Sequence, residues 1–96
     1  MNISKALQRV RFEKGMNQID VAKKAKISQT YLSQLETNSK KEPSGEVMKR
    51  LAKVYNIPPA VFAWYAMEES DVQPKKKVAY AKLKPVIDEL ISEFLK

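Results

Sequence analysis

The stretch Ile27-Ser28-Gln29-Thr30-Tyr31-Leu32-Ser33-Gln34-Leu35-Glu36 has helical spacing and an unusual outer face. At ~100° per residue, Tyr31, Leu32 and Leu35 fall on one side and Gln29, Thr30, Ser33 and Gln34 on the other. In a chain that is 30% charged, a solvated helix face is ordinarily Lys and Glu. This one carries amides and hydroxyls, groups that donate and accept hydrogen bonds side by side without a net field. Their chemistry is recognition of a patterned hydrogen-bonding edge.

Other chemistry is scarce. The chain has no His and no Cys, which removes the commonest general base, the commonest metal ligand and any thiolate or disulfide. Glu68-Glu69 and Asp88-Glu89 are adjacent acids that read as solvated surface. Gly15 and Gly45 form no phosphate-cradling loop. We therefore expect no enzyme, no metal and no cofactor.

Ninety-six residues make one domain with a core just large enough to stand unaided. No apolar run approaches the ~20 residues of a membrane span, and the N-terminus does not read as a signal peptide. A cytoplasmic protein is expected. The net charge of +7 is unevenly spread, with nine Lys and Arg in residues 1–41 against Glu13, Asp20 and Glu36. Residues 42–67 sum to about +1, and 68–77 and 78–96 each sum to zero. The basic segment suggests a polyanion as partner, and it contains the uncharged face.

The elements that must position these groups are helices. Ile3, Leu7 and Val10 place a first helix at about Ser4–Lys14, ended by Gly15. Asn17 is an N-cap for a second helix, with Asp20 three residues on and Met16 stapled to Val21, closing near Ala25. Ser28 caps the third after only Lys26 and Ile27. A fourth runs from Ser44 to Tyr55 with Met48, Leu51, Ala52 and Tyr55 inward and Asn56 as left-handed terminator. Pro59 suits the first position of a fifth. Residues 68–77 read as a polar linker. Residues 78–96 read as a helix broken or started at Pro85.

Two short helices joined by a tight turn in a helical bundle form a helix-turn-helix. The stretch from Gly15 to Asn38 resembles that of the phage repressor and Cro family. The resemblance rests on Gln18, Val21-Ala22, Ile27-Ser28, Leu32-Ser33 and Leu35-Glu36. It implies an all-α, five-helix, lambda-repressor-like domain over residues 1–67, extended by the linker and a C-terminal amphipathic helix. One departure is Lys26, where the family has glycine. A left-handed lysine costs about 1–2 kcal/mol, so a looser turn is expected here.

The resemblance also gives the uncharged face a task. The third helix of the family enters the major groove of duplex DNA, where glutamine matches adenine N6 and N7, and Ser or Thr read either kind of edge. Gln29, Thr30, Ser33 and Gln34 are then the base readers. Gln18 at the second helix N-terminus and Ser28, Asn38, Lys40 and Lys41 around the third are expected on phosphates. By the same resemblance Gln18 also supports Gln29, and Arg11 pairs with Glu36 to lock the third helix to the first.

The implied function is a DNA-binding transcriptional regulator, most simply a repressor acting as a homodimer on a palindromic operator in a bacterial or phage cytoplasm. The alternative is an antitoxin whose tail binds a protein toxin. From Pro85 onward, Val86, Ile87, Leu90, Ile91, Phe94 and Leu95 cover an arc of ~180° that demands burial. It can pack back on its own domain near Phe12, or pair with a second subunit. The expected partner surface is Phe12, Trp64, Tyr65, Ile87, Leu90, Ile91 and Phe94.

Overall fold

The computed structural model describes residues 1–38 and 40–96, and among these the regular structure is helical throughout. Helix α1 spans Ile3–Glu13, α2 Gln18–Ala25, α3 Gln29–Thr37, α4 Gly45–Tyr55, α5 Ala60–Ala66 and α6 Lys77–Leu95. Short 3₁₀ turns at Glu69–Asp71 and Pro74–Lys76 lead into α6.

Local chemistry sets most of the boundaries. The Asn2, Asn17, Ser28 and Ser44 side chains each accept a backbone N–H from the first turn of the helix that follows. Each such cap contributes about 1 kcal/mol. Gly15 sits at φ 65° and turns the chain from α1 into α2. Asn56 ends α4 in the left-handed conformation at φ 55°. Pro59 lies one residue ahead of α5 rather than within it, its carbonyl accepting the Phe62 N–H.

The looser turn expected at Lys26 does not form. Lys26 adopts φ 59°, ψ 42°, the left-handed geometry glycine would take. Its N–H reaches Lys23, and the Ile27 N–H returns 3.0 Å to the Ala22 carbonyl. These bonds satisfy the last carbonyls of α2 and draw Ile27 onto the core, and they offset the cost of the lysine's conformation. The tight turn is kept because it aims α3.

Five helices supply one core. Leu7, Val10, Val21, Leu32, Leu35, Leu51, Tyr55 and Phe62 are fully buried, with the Tyr55 and Phe62 rings edge-to-face at 6.2 Å. Each of these side chains contributes about 1.5–3 kcal/mol by leaving water.

Helix α6 lies back across this domain. Leu95 joins the core, and Ile91 packs against it. The Tyr80 hydroxyl donates to the Met67 carbonyl at 3.1 Å, and its ring meets Trp64 edge-on. Pro85 neither breaks nor starts the helix, which runs through it from Lys77 to Leu95. Contacts on both sides of the proline, at Tyr80 and at Asp88, Ser92 and Leu95, hold the two halves in line. No helix among the described residues is long and apolar enough to cross a membrane.

Candidate nucleic-acid interface

The site begins under α3 rather than on it. Glu36, its side chain wholly shielded from solvent, accepts from Arg11 Nε at 2.8 Å and Nη2 at 2.8 Å. The remaining guanidinium nitrogen donates to the Met16 carbonyl at 3.0 Å, and Gln18 Nε2 donates to Glu36 Oε1 at 3.1 Å. The hydrogen bond to Glu36 raises the Arg11 pKa against the opposing effect of burial, so the guanidinium keeps its charge. Two helices and a turn are tied to one carboxylate at the rear of α3. Here the structure corrects one expectation: the Gln18 amide is committed to Glu36, not to Gln29. A buried carboxylate is a stronger acceptor than the neutral amide of Gln29.

With Leu32, Leu35 and Glu36 buried, the opposite face of α3 must point out. Gln29, Thr30 and Gln34 are exposed and Ser33 is half-buried, so the four share one strip. The Ser28 oxygen accepts the Tyr31 N–H at 3.0 Å, which leaves its hydroxyl proton free to donate outward.

The segment after α3 closes the strip at its other end. Asn38 accepts the Lys40 N–H on its side chain and the Lys41 N–H on its carbonyl, each at 3.0 Å. The buried Ser4 hydroxyl donates to the same carbonyl at 2.9 Å. Lys41 Nζ donates to Gln34 Oε1 at 2.9 Å and lies 5.5 Å from the Tyr31 ring centroid. In this arrangement Gln34 offers its amide donors outward, its acceptor being occupied. Lys40 is exposed. Ser28, Gln29, Thr30, Ser33, Gln34, Asn38, Lys40 and Lys41 therefore share one polar and cationic surface, while the half-buried Gln18 is held behind α3 by its bond to Glu36.

The expected partner surface divides. Tyr65 is buried, its hydroxyl donating to Glu13 at 2.9 Å, and Trp64 Nε1 donates to Asp88 at 2.7 Å. Tyr65 and the half-buried Trp64 face α1 and α6 of their own chain, and the half-buried Ile91 of α6 packs on the core. Phe12, Leu90 and Phe94 stand exposed and Ile87 is half-buried. Phe12 does not receive α6; the Arg11 guanidinium covers one face of its ring at 4.7 Å.

Two residues were misjudged or missed from sequence. Asp88, read as solvated, is a half-buried acceptor for Trp64, Arg9 and Lys84. A single tryptophan needing an acceptor, with Lys84 four residues before Asp88, was the available signal. Ser4, which pins the segment after α3, carries no signal beyond a small polar residue on the apolar side of α1. Among the described residues no group of acids could hold a metal ion.

A family model for the helix-turn-helix matches residues 7–62, more than half of the chain and the part that carries the surface just described. Comparison with curated proteins and with solved structures yields no match. The buried Arg11–Glu36 anchor, the tight turn at Lys26 and the outward strip of α3 all lie within the matched segment, and the chain belongs to the phage repressor and Cro-type helix-turn-helix family of DNA-binding regulators.

Proposed function

We propose that the protein is a sequence-specific regulator that lays α3 in the major groove of an operator and represses by occupying it. The observation that carries this reading is the strip Gln29, Thr30, Ser33 and Gln34, uncharged and outward on a helix clamped from behind by a buried ion pair. Such groups discriminate base edges, whereas Lys40 and Lys41 beside them supply attraction to any phosphate backbone. The experiment is operator selection from random duplexes, followed by fluorescence anisotropy on the selected site and on random DNA. Gln29→Ala should cost about 1–3 kcal/mol at one or two base positions and leave binding to random DNA unchanged. Lys40→Ala should weaken both alike and flatten the salt dependence. Equal loss on both DNAs for Gln29→Ala removes the reader assignment.

The same reading includes a homodimer through α6. Leu83, Val86, Leu90 and Phe94 are 49%, 55%, 60% and 62% exposed and recur every three or four residues, a seam beside the docked face. Lys82, Glu89 and Glu93 line its outer flank. In an antiparallel pair that flank meets its own copy, bringing Lys82 against the acids of the second chain, so the seam is self-complementary. Two third helices so joined suit half-sites about one DNA turn, ~10 bp, apart. Leu90→Lys leaves the docked face intact and should yield a monomer by sedimentation with weaker operator binding. A wild-type chain that is monomeric at all accessible concentrations would turn the seam toward a different protein, as in the antitoxin reading.

A further inference from the structure

Lys41 lies outside α3 but is tied to its outward face. Its backbone N–H donates to the Asn38 carbonyl at 3.0 Å, and the buried Ser4 hydroxyl holds the same carbonyl at 2.9 Å. The half-buried side chain reaches back to α3, where Nζ lies 5.5 Å from the Tyr31 ring centroid and donates to Gln34 Oε1 at 2.9 Å. The backbone and ring contacts, both independent of Gln34, fix where the ammonium sits. An ammonium can only donate, so the end of the Gln34 amide that faces it is the oxygen, and the end turned away is the NH2.

This orientation decides what an exposed glutamine can read. A glutamine free to turn pairs with adenine, accepting from N6 and donating to N7. Here Lys41 occupies Oε1, and the positive charge beside that oxygen opposes the approach of a second N–H donor. Gln34 is left with two N–H donors, and guanine is the base whose major-groove edge offers two acceptors, O6 and N7. We propose that Lys41 is a positioning residue for base recognition, setting the Gln34 amide so that this reader selects guanine and rejects adenine. This role rests on the reading in which α3 lies in the major groove with Gln34 against a base edge. The other N–H groups of the ammonium remain for a phosphate, so Lys41 adds to affinity as well as to selectivity.

The test is selection from random duplexes with the full chain, repeated for Gln34→Ala and Lys41→Met. Gln34→Ala should flatten the preference at one base-pair position, which marks the contact. In the wild type that position should be G·C, favoured over A·T by at least ~10-fold in anisotropy titrations. Lys41→Met keeps an unbranched side chain but frees Oε1, so A·T should rise to within ~3-fold of G·C at that position alone. A lysine that met only phosphate would instead weaken every duplex alike and leave this ratio unchanged. Unaltered preferences at the other positions, with an unaltered circular-dichroism spectrum, establish that the fold is intact. A wild-type preference for A·T at the marked position, or a G·C preference that survives in Lys41→Met, overturns the role of Lys41 while leaving Gln34 a reader. If Gln34→Ala flattens no position, the reader assignment falls and the role of Lys41 falls with it.

Discussion

Removing one member of the Arg11–Glu36 pair should cost far more than removing both. Glu36 receives Arg11 Nε and Nη2 at 2.8 Å and Gln18 at 3.1 Å, with its side chain fully buried and that of Arg11 only 10% exposed. Glu36→Leu leaves a charged guanidinium in the interior with only the Met16 carbonyl as acceptor. An uncompensated buried charge of this kind costs about 3–5 kcal/mol. A small domain has about 5–15 kcal/mol in total, and each 1 kcal/mol moves Tm by ~4–8 °C at this size, so a drop of at least ~12 °C is expected. Arg11→Met should behave similarly, stranding a carboxylate instead. The double variant removes both charges and fills the space with apolar atoms, so it should recover most of the loss and show coupling of at least ~2 kcal/mol. Urea denaturation followed by far-UV circular dichroism, with an unchanged m-value, measures the cycle. Additive single effects, within ~0.5 kcal/mol, would refute the argument. The raised Arg11 pKa means that the arginine's contribution is complete below the ordinary arginine range and lost as pH rises through the raised value.

Three further outcomes follow from the same geometry. Lys26→Gly relieves a left-handed lysine, so it should raise stability by up to ~1 kcal/mol in thermal melts, part of the gain being lost to the freer unfolded chain; a loss of stability would contradict the strain. Pro85→Ala restores an N–H to the Ala81 carbonyl in a helix interior and should stabilise by ~1–3 kcal/mol, with slower amide exchange in residues 77–95. Burial pushes the Tyr55 hydroxyl pKa well up, so its contribution to stability is intact below pH ~10 and lost as pH rises beyond it. Tyr55→Phe should therefore flatten the alkaline fall in stability by up to ~1.4 kcal/mol per pH unit; an unchanged slope would assign that fall to other groups.

What the sequence determined by itself was local or short in range. Asn17 and Ser28 cap the helices predicted from them, because a cap bonds a backbone N–H only three residues away. The outward strip of α3 was legible for a related reason: Leu32, Leu35 and Glu36 recur at helical spacing, and a helix with one buried face has its other face free. The partner of Glu36 was reached through the family pattern, not through any local rule. Tertiary structure decided which part of a wide apolar surface is covered. Periodicity gave α6 an arc of ~180°, but only its packing on α1 and α5 buries Leu95 and leaves Leu90 and Phe94 in solvent. The same packing takes up Tyr65 and Trp64 and turns Asp88 from a surface acid into a shared acceptor. It also carries the helix through Pro85 and holds open a cleft whose walls lie some eighty residues apart in the chain. Competition among acceptors drew Gln18 to Glu36, and cooperation between a turn and its core kept Lys26 left-handed. These outcomes depend on groups distant in sequence meeting in space, and a rule that sees one helix at a time has no term for them.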